Sequence, residues 1–199
     1  MKKAFTLAEV LITLGIIGVV AALTAPALVN NTQQAKIGPT LSKFVSTFEN
    51  AMESLMVDEG ITHISDLYGR TGIGETGSEG LANMLAKYMV LDKANTTGTY
   101  MLKDGSTVDF RAFFNHDSDD ELLANLIFDL NGNRAPNRPG IDQFEFVLGN
   151  KGRLYAYGSQ AHKNFDATVR NLTCKINGTT NEGLACTGAI ADNNWKADY

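Results

Sequence analysis

Glu9 places a single carboxylate at the mouth of a long apolar run, just behind a short leader that carries Lys2 and Lys3. On insertion scales an acid near the bilayer centre costs about 2.5–3.5 kcal/mol, and less near the interface, so a carboxylate here calls for a cationic partner. A second set of residues has the makings of a cation site. Asp129, Asn131 and Asn133 present oxygen side chains at the spacing that opens a calcium loop, and Asp142 stands where it can close one. The helical EF-hand pattern is not met, because Arg134 replaces the turn glycine and no glutamate occupies the twelfth position. The same Asn/Gly/Pro composition also suits a tight loop whose side chains bond their own backbone. The run Asp117-Ser118-Asp119-Asp120-Glu121 is another cation candidate, or a solvated loop in which Ser118 and Glu121 form a cap. Cys174 and Cys186 are the only 2 cysteines and form no CxxC pair; in an exported chain they read as one disulfide. Closing that loop is worth roughly 3 kcal/mol in the chain-entropy model.

Other chemistries find no support. His63, His116 and His162 are isolated, without the HxxxH or CxxC spacing of a zinc site, and no GxSxG motif occurs. The glycine-rich stretch TGIGETGSEG at 71–80 has no Lys or Ser/Thr placed to cradle phosphate, and reads as a surface loop. With no convergent reactive groups, no enzymatic role is expected. A net charge of −5 gives no bulk attraction to nucleic acid or anionic lipid, and no local basic patch offsets it.

The element that must position Glu9 is the segment that follows it. From Val10 to Val29 the chain is apolar apart from Thr13 and Thr24, with Gly15, Gly18 and Pro26 inside it. As a helix rising about 1.5 Å per residue, this run just spans a hydrocarbon core of roughly 30 Å. Lys2 and Lys3 keep the N-terminus cytoplasmic and export the rest. Ala25-Pro26-Ala27 has the small-x-small form of a signal peptidase site, so a secretory signal is the competing reading. Glu9 between the basic and apolar regions argues against that, as does the helical pattern that continues beyond Pro26.

The residues Ala4-Phe5-Thr6-Leu7-Ala8-Glu9-Val10 resemble the processing site of type IV prepilins and type II secretion pseudopilins. The resemblance implies that a prepilin peptidase cleaves between Ala4 and Phe5 and methylates the new amine of Phe5. The family usually has glycine before the cut, where this chain has Ala4. Glu9 then takes the place of the family's glutamate and docks an incoming subunit by neutralising the Phe5 amine; a buried pair of this kind sets register better than it adds stability. Pro26 sits where many members have a kinking proline.

Beyond Asn30-Asn31, apolar residues recur at Leu41, Phe44, Val45, Phe48, Met52, Leu55 and Met56, one face of a helix. Gly38-Pro39 is expected to kink or break the path. The resemblance implies one bent helix from about Phe5 to Met56. Thr76 and Glu79 fit a capping box ahead of a short helix bearing Leu81, Met84, Leu85 and Tyr88. Alternation then predicts antiparallel hairpins: Tyr100 and Leu102, the Asp104-Gly105 turn, Val108 to Ala112; Leu126 to Leu130; Phe144 to Leu148; and Leu154 with Ala156. A sheet with one apolar face against a helix with one apolar stripe makes an α+β domain, pilin-like in the light of the resemblance.

The expected division is a leader at 1–4, a transmembrane or filament-core helix at 5–29 and a periplasmic or extracellular domain at 30–199. The resemblance implies a structural subunit of a type IV pilus or related filament. Its partners are other pilin subunits, prepilin peptidase, an inner-membrane assembly platform and the membrane itself. Its location is the inner membrane before assembly, then the periplasm or a cell-surface filament. A pseudopilin of a type II secretion system is the alternative, and the 129–142 segment loosely resembles the calcium-binding connection of some pseudopilins. The Cys174–Cys186 region resembles the disulfide-bounded surface of pilins. From another class, a membrane-tethered or secreted binding module that never polymerises would carry the same anchor.

Overall fold

The computed structural model describes residues 6–67, 78–93, 98–113 and 122–198. Its contacts cluster into two units, Met1–Lys36 and Ile37–Tyr199. One helix, α1 (Leu7–Glu59), contributes to both. From Leu7 to Thr24, apart from Glu9, Thr13 and Thr24, it is apolar around its circumference, and this stretch is long and apolar enough to cross a membrane. In the second unit the apolar positions narrow to a stripe: Ile37, Leu41, Phe44, Phe48, Met52 and Leu55 are buried.

The stripe packs on a six-stranded antiparallel sheet whose strands follow chain order: β1 (Asp92–Lys93), β2 (Thr99–Met101), β3 (Thr107–Phe113), β4 (Leu122–Asp129), β5 (Gln143–Gly149) and β6 (Leu154–Ala156). Register aligns the inward residues. Phe128 stands opposite both Val108 and Phe144, and Leu126 opposite both Phe110 and Phe146. Because strand side chains alternate, these residues share the face that meets α1. Phe44 stacks on Phe128 with ring centroids 4.3 Å apart, and Phe48 reaches Phe110 at 6.2 Å. The expected α+β architecture is therefore present, and the expected alternation supplies its core.

Two expectations change. The helix runs through Gly38-Pro39 without a break. Core residues on both sides, Ile37 and Leu41, anchor the path, and the absent side chain of Gly38 lets the Trp195 carbonyl approach where a Cβ would overlap it. The surface loop expected at 71–80 ends early, because α2 (Ser78–Leu85) has already begun and buries Leu81, Ala82 and Leu85. Thr76 of the expected capping pair lies outside the described residues, as do His116, the acidic run at 117–121 and the first part of the 71–80 loop.

After β6 come three short helices, α3 (Gln160–Phe165), α4 (Thr180–Leu184) and α5 (Cys186–Asp192). They close the free side of the sheet. Thr187 Oγ1 accepts from Glu145 N at 3.0 Å, where β6 no longer pairs with β5, and Glu49 Oε1 accepts from Leu154 N on the edge strand at 3.0 Å. These bonds occupy two N–H groups that this end of the sheet would otherwise offer to another chain.

Candidate functional site

Glu9 sits at the start of α1 in a reciprocal cap. Its Oε2 accepts from both the backbone N–H and the hydroxyl of Thr6, each at 2.8 Å, while Glu9 N donates to Thr6 Oγ1 at 3.3 Å. This is a capping box with Thr6 as N-cap and Glu9 three residues on, and it satisfies donors that a helix start leaves unpaired. The signal Thr6-Leu-Ala-Glu9 is legible in the sequence, although the membrane reading of Glu9 overshadows it. Ala4 and Phe5, expected to flank a cleavage site, lie outside the described residues.

Beyond the cap, every large apolar residue from Leu7 to Leu23 is 44–80% exposed. Burying one such side chain is worth about 1.5–3 kcal/mol, so this surface favours lipid or other protein strongly over water. Apolar residues all round a helix, rather than along one stripe, are what a membrane span or a filament core demands.

The expected cation residues fall on the connection between β4 and β5. Asp129 and Asp142 are both buried, at 6% and 3% exposure. Asp142 organises the loop from below: Oδ2 accepts from Asn137 N at 2.8 Å and Oδ1 from Arg138 N at 2.6 Å. Asp129 accepts from Asn131 N at 3.1 Å and Gln143 Nε2 at 3.2 Å. Burial, more than any other influence, raises the Asp129 carboxyl above the usual range, and the Asp142 charge adds to it.

Above these carboxylates the loop curls into a small cage. One terminal atom of the Asn131 amide lies 2.8 Å from Arg134 O, 3.2 Å from Gly132 O and 3.0 Å from Asp129 Oδ1. The corresponding atom of Asn137 lies 3.0, 2.9 and 3.1 Å from Arg134 O, Gly132 O and Asp129 Oδ2. If these amide atoms are nitrogen, the cage closes on itself with hydrogen bonds. If they are oxygen, carbonyl, carboxylate and amide oxygens converge on one point and need a cation among them. With oxygen inward, the Asn131 amide nitrogen turns outward to Asp142 Oδ2 at 3.3 Å. The donor set is all hard oxygen, which fits calcium and not zinc. Asn137, absent from the sequence expectation, belongs to the cage. Asn133 is exposed, and its backbone carbonyl accepts from Asn137 Nδ2 at 3.5 Å.

Cys174 and Cys186 are bonded, with Cα atoms 4.3 Å apart. Inside their loop, Thr179 and Glu182 form the capping box of α4, and Lys175 Nζ bonds Glu182 Oε1 at 2.6 Å. The Lys175 bond, aided by Thr179, holds the Glu182 carboxyl down at about 2. Of the histidines, His162 is buried and its Nδ1 accepts from Gly158 N at 3.1 Å. Burial holds its pKa below the usual value against the pull of Asp166. Among the described residues no group of three or more His, Cys, Asp or Glu gathers around one point.

Residues 1–25 match the prokaryotic N-terminal methylation motif. That motif is the signature of type IV pilin and pseudopilin precursors, and implies processing by prepilin peptidase and polymerisation with other pilins. Together with the apolar helix it fits a membrane-anchored precursor. No curated protein and no solved structure matches the chain.

Proposed function

We propose that this chain is a structural subunit of a type IV pilus or related filament. In this reading the precursor inserts in the inner membrane, is cut between Ala4 and Phe5, is methylated on Phe5, and is drawn by an assembly platform into a fibre. Packing of Val10 to Leu28 between subunits holds the fibre together, and Glu9 docks the amine of a neighbouring Phe5. The observation that carries the reading is the coincidence, on one helix, of a methylation motif at 1–25 with an exposed apolar surface that begins beside Glu9. The disulfide-closed segment at Cys174–Cys186 favours the pilus over a type II secretion pseudopilus.

Mass spectrometry of the mature protein tests this. A chain beginning at methylated Phe5 supports it. One beginning at Leu28, or at Met1 in cells with active prepilin peptidase, overturns it.

The cage favours a second property, calcium binding between β4 and β5. Asp129, Asn131 and Asn137 would hold the ion with the carbonyls of Gly132 and Arg134, and Asp142 would brace the loop. Calcium there supplies positive charge that offsets two buried carboxylates. At a hundred-fold excess over Kd a bound ion adds about 2.7 kcal/mol, so thermal melts of the chain should lose several degrees on adding a chelator. An unchanged Tm removes the ion from the account.

A further inference from the structure

The cage does not stand alone; its far side is built into the disulfide-closed segment. Arg138 Nη2 donates to Asn177 Oδ1 at 3.2 Å, across the gap between the two loops. Gly140, at φ +80°, lies so close that a Cβ there would sit 2.8 Å from Gly183 O and 3.1 Å from Cys186 Sγ. A Cβ on Gly183 would in turn meet Pro139 O and Cβ, both at 2.8 Å. The two backbones are packed so closely that neither position has room for a side chain. Pro139 and Gly140 directly follow Asn137 and Arg138, whose N–H groups Asp142 holds. The wall of the cage and the buttress against the disulfide are thus one short run of chain.

We propose that cation binding in the cage and the Cys174–Cys186 bond are energetically coupled, so that calcium holds the disulfide-closed surface segment in place. The proposal rests on the calcium reading above and adds a regulatory consequence. With the bond intact, Gly183 and Cys186 press on Pro139 and Gly140 and keep Asn137 aimed into the cage. Without it the segment is free to leave, Arg138 loses Asn177, and the cage must be ordered by the ion alone. Linkage makes the effect reciprocal: whatever the bond adds to calcium affinity, calcium adds to the docking of residues 174–186. The surface presented to a partner then depends on the calcium concentration outside the cell.

The test is calorimetric titration of calcium chloride into the full chain in detergent, comparing the wild type with Cys174→Ser/Cys186→Ser. Coupling energies of the usual size predict that the variant binds about five-fold or more weakly. Gly183→Ala leaves the disulfide intact but pushes the segment off Pro139. It should weaken calcium by a similar factor, and carries the test if the double variant fails to fold. Hydrogen exchange supplies the reciprocal readout: amides at 174–186 should gain protection on adding calcium to the wild type. If the wild type binds calcium and the folded variants bind it equally well, the coupling is wrong and the site stands. If the wild type binds no calcium, the cation reading and the coupling fall together.

Discussion

At the scale of single residues, Glu9 has two roles that use the same carboxylate. Within its own chain it completes the cap with Thr6, and in the proposed filament it meets a neighbour's Phe5 amine. Thr6 therefore presets the carboxylate at the helix end. Glu145 shows the opposite electrostatics. It is 7% exposed on β5, and burial raises its carboxyl to about 7 despite the nearby Arg111 charge. The unfolded chain ionises this group near 4.5, so between the two values the folded chain holds more protons and stability falls as pH rises. The loss approaches about 3 kcal/mol above neutrality, at 1.36 kcal/mol per unit. Urea titrations from pH 4.5 to 8 should show that slope, and Glu145→Gln should flatten it; an identical slope in the variant would assign the effect elsewhere. At this scale the sequence revealed types but not aim. Asp129, Asn131 and Asn133 stood out because oxygen residues alternate, and Asp142 because it could close the loop, whereas Asn137 joins Asp129 and Asn131 only through the way the loop folds, which spacing does not encode.

At the scale of elements, α1 is continuous where Gly38-Pro39 suggested an interruption. The reason is tertiary: the stripe from Ile37 to Leu55 is buried on the sheet, and Gly38 accommodates the Trp195 carbonyl. Gly38→Ala should overpack that contact and cost about 1–3 kcal/mol, the range for added volume in a filled site. Chemical denaturation gives the value, and a change within error would show that the C-terminal turn yields freely. The hairpins of β2 to β6 were legible because inward residues alternate over most of their length, the register shifting between Phe110 and Phe113 and between Leu122 and Ala124, and because the Asp104-Gly105 turn marks a reversal. Helices α3 to α5 were not, since each is too short for periodicity to show and owes its place to contacts with β5 and β6. One local signal was present: Thr179 with Glu182 forms the capping box of α4, inside a stretch otherwise read as polar loop.

At the scale of the molecule, the two units divide the work. Every buried core residue from Ile37 onward belongs to the second unit, while the first has no buried apolar residue among those described. Residues 37–199 alone should therefore be soluble and unfold cooperatively as a monomer, as circular dichroism with sedimentation can show. Aggregation of that fragment would mean that the helix is needed for the head to fold. The anchor motif was readable in the sequence because it rests on composition and fixed spacing; the coupling of cage to disulfide was not, because it depends on two loops meeting. In the proposed filament the apolar helix serves polymerisation, with Glu9 as the docking charge. The most direct measurement is filament assembly by Glu9→Ala in cells that carry the assembly machinery, scored by electron microscopy of sheared fibres and by membrane fractionation. Fibres should disappear while the protein remains membrane-inserted, folded and cleaved after Ala4. Fibres at wild-type abundance, built from the variant and retaining its helix, would contradict this.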